Sequence, residues 1–122
     1  MENTTNKKIC VISLTYNRPW YIGRSFDSLY TRANYEFDHY VFDDCSDEET
    51  TILLMQLQKK YKFHLFQNLT RLGILKNFHK NVKNIPREYD IYIKFDSDIE
   101  VLTDNFFPQL LEVLDMPAKL SG

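Results

Sequence analysis

With 122 residues, 43% of them hydrophobic and 26% charged, the chain is expected to form one domain, residues 1–122, around a single core. A formal charge of −2 without a run of basic residues excludes a nucleic-acid-binding field, and no stretch nears the roughly 18 apolar residues that span a bilayer. Residues 1–6 lack the apolar core of a secretion signal, so the expected location is the cytoplasm.

After a polar leader over residues 1–7, expected to be flexible, Ile9 to Leu14 reads Ile-Cys-Val-Ile-Ser-Leu. Such a near-continuous β-favouring run suits a strand buried on both faces of a parallel sheet, and it predicts a central first strand. Thr15-Tyr16-Asn17-Arg18-Pro19 breaks the run, and Pro19 suits the first turn of a helix whose stripe is Trp20, Ile22, Phe26 and Leu29. Phe37 to Phe42 predicts a second strand, ending in Asp43-Asp44. Ser46 with Glu49 predicts a capping box that opens a second helix through Ile52, Leu53, Met55 and Leu57.

Phe63 to Phe66 predicts a short third strand. A helix from about Gly73 to Val82, with Ile74, Phe78 and Val82 on one side, follows the loop Asn68 to Arg71. Asp90 to Phe95 predicts the fourth strand, and Thr103, Asp104 or Asn105 is expected to cap a last helix with Pro108 in its first turn. The order β-α-β-α-β-α-β-α gives an α/β fold with a doubly wound, mostly parallel sheet. Cys10 and Cys45 fall at opposite ends of neighbouring strands and are expected to be free thiols. His39, His64 and His79 show no metal-ligand spacing and are expected at the surface or partly packed.

Three strand ends carry polar residues: Thr15-Tyr16-Asn17, Asp43-Asp44 and Asp96-Ser97-Asp98. Ligands of open α/β sheets collect beyond the carboxyl ends of the strands, so these three edges are expected to share one crevice. Asp96 and Asp98 are spaced to share a hard cation, Mn²⁺ or Mg²⁺, which is usually completed by substrate phosphates. The same Asp-x-Asp also suits an acidic turn that caps the next helix. With only Gly23, Gly73 and Gly122, the chain has neither a dinucleotide fingerprint nor a P-loop, so phosphate would have to be handled through a metal.

On the segments Val11 to Pro19, Val41 to Thr50 and Ile93 to Asp98, the chain resembles the N-terminal, nucleotide-sugar-binding half of GT-A fold glycosyltransferases, especially the inverting enzymes of family 2. The resemblance runs from about Ile9 to Leu114. It implies that Thr15, Tyr16, Asn17, Asp43, Asp44, Arg71 and Asp96 contact the nucleotide, Asp44 by accepting the uracil-type imide N–H, and that Asp96 and Asp98 ligate the metal. A UDP-sugar is the implied donor. Family members usually carry Gly where this chain has Cys45. In the family the acceptor half and the general base come later in sequence, so the acceptor is not identified, and the chain is expected to be a truncated form. The rival readings are a non-catalytic, self-associating (homo-oligomeric) binding module, a nucleotidyltransferase and a phosphoacceptor receiver domain. A nucleotidyltransferase would want glycine after the first strand, and a receiver domain would want its acidic pair there.

Overall fold

In the computed structural model, which describes residues 7–115, strands and helices alternate throughout. They are β1 (Ile9–Thr15), α1 (Pro19–Arg32), β2 (Asp38–Asp43), α2 (Glu48–Tyr61), β3 (His64–Gln67), α3 (Ile74–Asn81), β4 (Ile91–Lys94) and α4 (Phe106–Leu114). A 3-10 turn, Val82–Asn84, extends α3. The four strands form one parallel sheet in the order β3-β2-β1-β4, so β1 is central and β4 is an edge. The α/β, doubly wound parallel architecture is thus the one that the alternating pattern predicts. Because all strands run the same way, the loops that follow them gather along one edge of the sheet.

Register and alternation decide what meets there. Thr15 pairs with Asp43, and Asp43 with Gln67, whereas Lys94 pairs with Ile12. Successive strand residues point to opposite faces. Ile9 and Val11 therefore pack with Leu29 of α1 and with Phe107 and Leu111 of α4, while Val41 packs with Ile22 and Phe26 of α1 and Leu54 and Leu57 of α2. Cys10, Ile12, Tyr40 and Phe42 face the other way, onto Ile85, Phe78 and Val82. Three helices cover one face and α3 covers part of the other. Phe26, Phe42 and Phe107 are fully buried, each contributing about 1.5–3 kcal/mol through the area removed from water.

The structure corrects several local expectations. The cap of α2 is Asp47, whose carboxylate accepts from Thr50 N at 2.9 Å; the Ser46 hydroxyl is engaged elsewhere, so no Ser46–Glu49 box forms. Trp20 leaves the apolar stripe of α1 and is 67% exposed, because two residues of helix, about 200°, set it on the side opposite the buried Ile22. Ile74 is exposed as well, and α3 buries Asn77 and Asn81 instead. Asn105 occupies the N-cap of α4 in a left-handed conformation (φ 59°) without a side-chain cap, its Oδ1 accepting from Asn34 Nδ2. Of the leader expected over residues 1–7, all but Lys7 lies outside the described residues.

His39 is the largest departure. It sits on β2 facing the three-helix side, 2% exposed, with Phe26 and Phe63 edge-on to its ring. Ser13 Oγ donates its one hydrogen to Phe95 O (2.6 Å), so it can only accept from His39 Nε2 (2.8 Å). His39 Nδ1 must then accept from Tyr30 OH (2.8 Å), which fixes a neutral imidazole with its proton on Nε2. Burial, with the nearby His64 adding to it, pushes this imidazole down to about 3. The two cysteines are free, Cys10 buried and Cys45 exposed, and burial pushes the Cys10 thiol up to about 12.

Candidate functional site

The first two loops of the sheet edge are clamped together. Asp43, fully buried at the end of β2, accepts from Thr15 Oγ1 (2.7 Å), Ser46 Oγ (2.6 Å) and Ser46 N (3.0 Å). Asn17 N donates to Ser46 Oγ at 2.8 Å, and Asn17 Oδ1 accepts from Asp47 N at 2.8 Å. Asn17 and Arg18 both adopt left-handed backbone (φ 53° and 61°), turning the chain sharply from β1 into α1. Cys45 is left-handed too (φ 62°), a conformation glycine adopts without steric cost. Thr15, Asn17 and Asp43 thus use their polar groups on one another and on the neighbouring loop.

Asp44 is one residue on, and alternation swings its carboxylate to the α3 face. It is 4% exposed, with Oδ1 accepting from Leu72 N (2.8 Å) and Asn68 Nδ2 (3.0 Å), and Oδ2 from Gly73 N (2.8 Å). Burial raises its pKa, but these hydrogen bonds and the charge of Arg71 outweigh burial and hold the carboxyl below its ordinary range. Two carboxylate oxygens offer about four lone-pair sites, so one remains for a further donor.

Behind Asp44 lies a buried amide network. Asn68 Nδ2 also donates to Asn77 Oδ1 (2.9 Å), Asn77 Nδ2 to Phe42 O (3.0 Å), and Asn81 Nδ2 to Asn68 Oδ1 (3.1 Å). This network ties α3 to the end of β2. Hydrophobic periodicity misses it; the available signal is Asn77 and Asn81 spaced one helical turn apart.

Tyr16, just past β1, is 38% exposed, and the Arg71 guanidinium carbon lies 3.9 Å from its ring centroid. Phe95 N donates to Ile12 O, after which Asp96 O accepts from Ile99 N at 3.1 Å, closing a turn with Ser97 and Asp98 at its centre. The next helix begins only at Phe106, so Asp96 and Asp98 cap no helix. Lys94 Nζ lies 2.7 Å from Asp96 Oδ1. Asp98 is exposed, and among the described residues no hydrogen bond or ion pair engages its carboxylate.

The edge therefore has two sides. Tyr16, Asp44, Arg71, Lys94 and Asp96 belong to the α3 side, and Thr15, Asn17 and Asp43 to the other. Strands lie about 4.8 Å apart, but β2 ends opposite Thr15 and β4 opposite Ile12, so the two ends are roughly 14 Å from each other, and a base and its linked phosphates can extend over such a span. Two carboxylates are oxygen donors suited to Mn²⁺ or Mg²⁺. Among the described residues no group of three or more His, Cys, Asp or Glu could hold a metal ion, so a cation on Asp96 and Asp98 would need further ligands from outside the chain. Among the same residues no helix is long and apolar enough to cross a membrane.

The chain is similar to solved structures of glycosyltransferases. Against the mannosyltransferase PcManGT from Pyrobaculum calidifontis, in complex with GDP-Man and Mn²⁺, the TM-score is 0.78 at 18% identity, covering 92% of this chain and 33% of that one. Against S. aureus TarS 1–349 in complex with UDP it is 0.72 at 25% identity, covering 88% and 32%. The complex of the same TarS segment with UDP-GlcNAc gives 0.72 at 25% identity, covering 88% and 31%. The chain spans about a third of the length of these structures. No curated protein matches it. The sequence pattern described as Glycosyl transferase family 2 matches residues 10–120, which takes in all the strands and helices but Ile9 at the start of β1, and with that match over this parallel fold the chain belongs to glycosyl transferase family 2.

Proposed function

We propose that this chain binds the nucleotide-sugar donor, a UDP-sugar, of an inverting glycosyltransferase. The observation that carries the reading is the Arg71 guanidinium over the Tyr16 ring with the Asp44 carboxylate bonded to the Leu72 N–H beside Arg71, on the sheet edge where the Asp96–Ile99 turn follows β4. Tyr16 and Arg71 offer a ring face and a planar cation for the base. Asp44 has one lone-pair site left for an imide N–H, and an ionised carboxylate is a strong acceptor. Thr15, Asn17 and Asp43 hold the loop that presents Tyr16.

Asp96 and Asp98 would hold the divalent cation, Mn²⁺ or Mg²⁺, together with diphosphate oxygens. When bound, that cation neutralises charge developing on the departing diphosphate. An acceptor hydroxyl would attack the anomeric carbon from the side opposite the leaving group. PcManGT with GDP-Man and Mn²⁺ and TarS with UDP-GlcNAc support the reading as complexes of proteins with the same fold. Calorimetric titration of UDP with and without Mn²⁺ tests it. Metal-dependent binding that is lost in Asp98→Ala is expected, and equal heats in both titrations would overturn it.

A further inference from the structure

Lys94 is the last residue of β4 and sits across from Ile12 on the α3 face, with the edge of the sheet open beside it. Its other same-face neighbour on the strand, Tyr92, is 46% exposed, so no helix among the described residues covers this part of the sheet. Residues i and i+2 of an extended segment share a side, which is how the Lys94 ammonium reaches Asp96 Oδ1 at 2.7 Å. Both side chains are about half exposed (51% and 47%), and exposed pairs of this kind add little to stability. The pair nevertheless places a cation on the carboxylate that the reading above gives to the metal.

We infer that Lys94 is an exchangeable counter-ion: it holds Asp96 in the free protein and moves to the donor's diphosphate once a divalent cation takes Asp96. The inference rests on the proposed donor site. An ammonium on a flexible four-carbon stem is a compact point charge suited to phosphate, and the same stem lets it change partners without backbone movement. In the free protein Lys94 competes with the cation for Asp96. In the complex it adds a positive charge beside the diphosphate. Metal and nucleotide are thereby coupled, each favouring the state in which the other binds, and such coupling is reciprocal.

The test compares wild type, Lys94→Met, Lys94→Arg and Asp98→Ala by calorimetry, using MnCl₂ alone, UDP in excess Mn²⁺, and uridine. Lys94→Met is expected to bind Mn²⁺ alone about threefold to tenfold more tightly and UDP with Mn²⁺ about tenfold more weakly, with uridine unchanged because it has no diphosphate. Lys94→Arg is expected to restore UDP binding. Thermal unfolding of each variant checks that the fold is intact. Wild-type binding of UDP with Mn²⁺ that Lys94→Met leaves unchanged, together with unchanged Mn²⁺ affinity, would overturn this inference alone. Wild type that takes up neither Mn²⁺ nor UDP, indistinguishable from Asp98→Ala, would overturn the donor-site reading and the inference with it.

Discussion

The central carbon of the Arg71 guanidinium lies 3.9 Å from the centroid of the Tyr16 ring, joining the loop after β1 to the loop before α3. Both residues are exposed, so the contact contributes only about 0.5–1 kcal/mol to the fold. Arg71→Ala is therefore expected to change stability in urea by less than about 1 kcal/mol, while weakening UDP about tenfold, or about 1.4 kcal/mol. Tyr16→Phe keeps the ring and is expected to bind UDP nearly as well as wild type. Calorimetry and urea unfolding on the same samples separate the two effects.

Asp44 behaves oppositely, because its carboxylate answers two backbone N–H groups and the Asn68 amide. Asp44→Ala leaves those donors without a partner and is expected to cost about 2–4 kcal/mol. The carboxyl is held low in the fold, so the stability it contributes is present above its unfolded value of about 3.9 and is lost as pH falls through the lower folded value. Asp44→Asn is expected to be less stable than wild type at pH 7, with the difference narrowing below pH 4, as read by urea midpoints.

His39 controls a different pH window. Its folded value, about 3, lies below the unfolded value of about 6.5, so between the two the unfolded chain holds the extra proton. Stability from this group is full above pH 6.5 and falls as pH drops toward 3, by an amount on the order of several kcal/mol. His39→Phe, seated among Phe26, Phe37 and Phe63, is expected to be destabilised at pH 7 through the lost Tyr30 and Ser13 partners, but to lose much less between pH 7 and pH 5 than wild type. Denaturant midpoints at those two pH values check it. Nitrogen NMR is expected to show the proton on Nε2 throughout.

Cys45 occupies left-handed backbone at φ 62°, where the side chain contributes strain. Its thiol touches Leu69 O at 3.4 Å, a weak contact. Cys45→Gly is expected to raise stability by up to about 1 kcal/mol after the unfolded-state entropy is counted, and Cys45→Val to lower it by about 1–2 kcal/mol. Thermal unfolding midpoints distinguish the outcomes.

The layered architecture was legible because each parallel strand is a short apolar run, and the run of β1 marks it as central. The candidate site was legible in outline for a related reason: polar residues interrupt those runs at Thr15, Asp43 and Asp96, and a parallel sheet must bring such interruptions to one edge. Alternation then separates Asp43 from Asp44, which adjacency in sequence conceals. The buried face of α3 was not legible, since Asn77 and Asn81 are satisfied by one another and by Asn68, and a satisfied polar network leaves no hydrophobic period. His39 was hidden similarly, its burial permitted only by Ser13 and Tyr30, residues distant in sequence. Ser46 lost its capping role to Asp47 because Asp43 and Asn17 already claim its hydroxyl.

Paramagnetic broadening by Mn²⁺ in the presence of UDP tests the central claim most directly, because it reports where the cation sits along the chain. Broadening is expected to centre on the amides of Asp96, Ser97 and Asp98, to reach Lys94, and to vanish in Asp98→Ala. Broadening centred instead on Asp38 and Glu88 at the opposite end of the sheet, or none at all with UDP present, would contradict it.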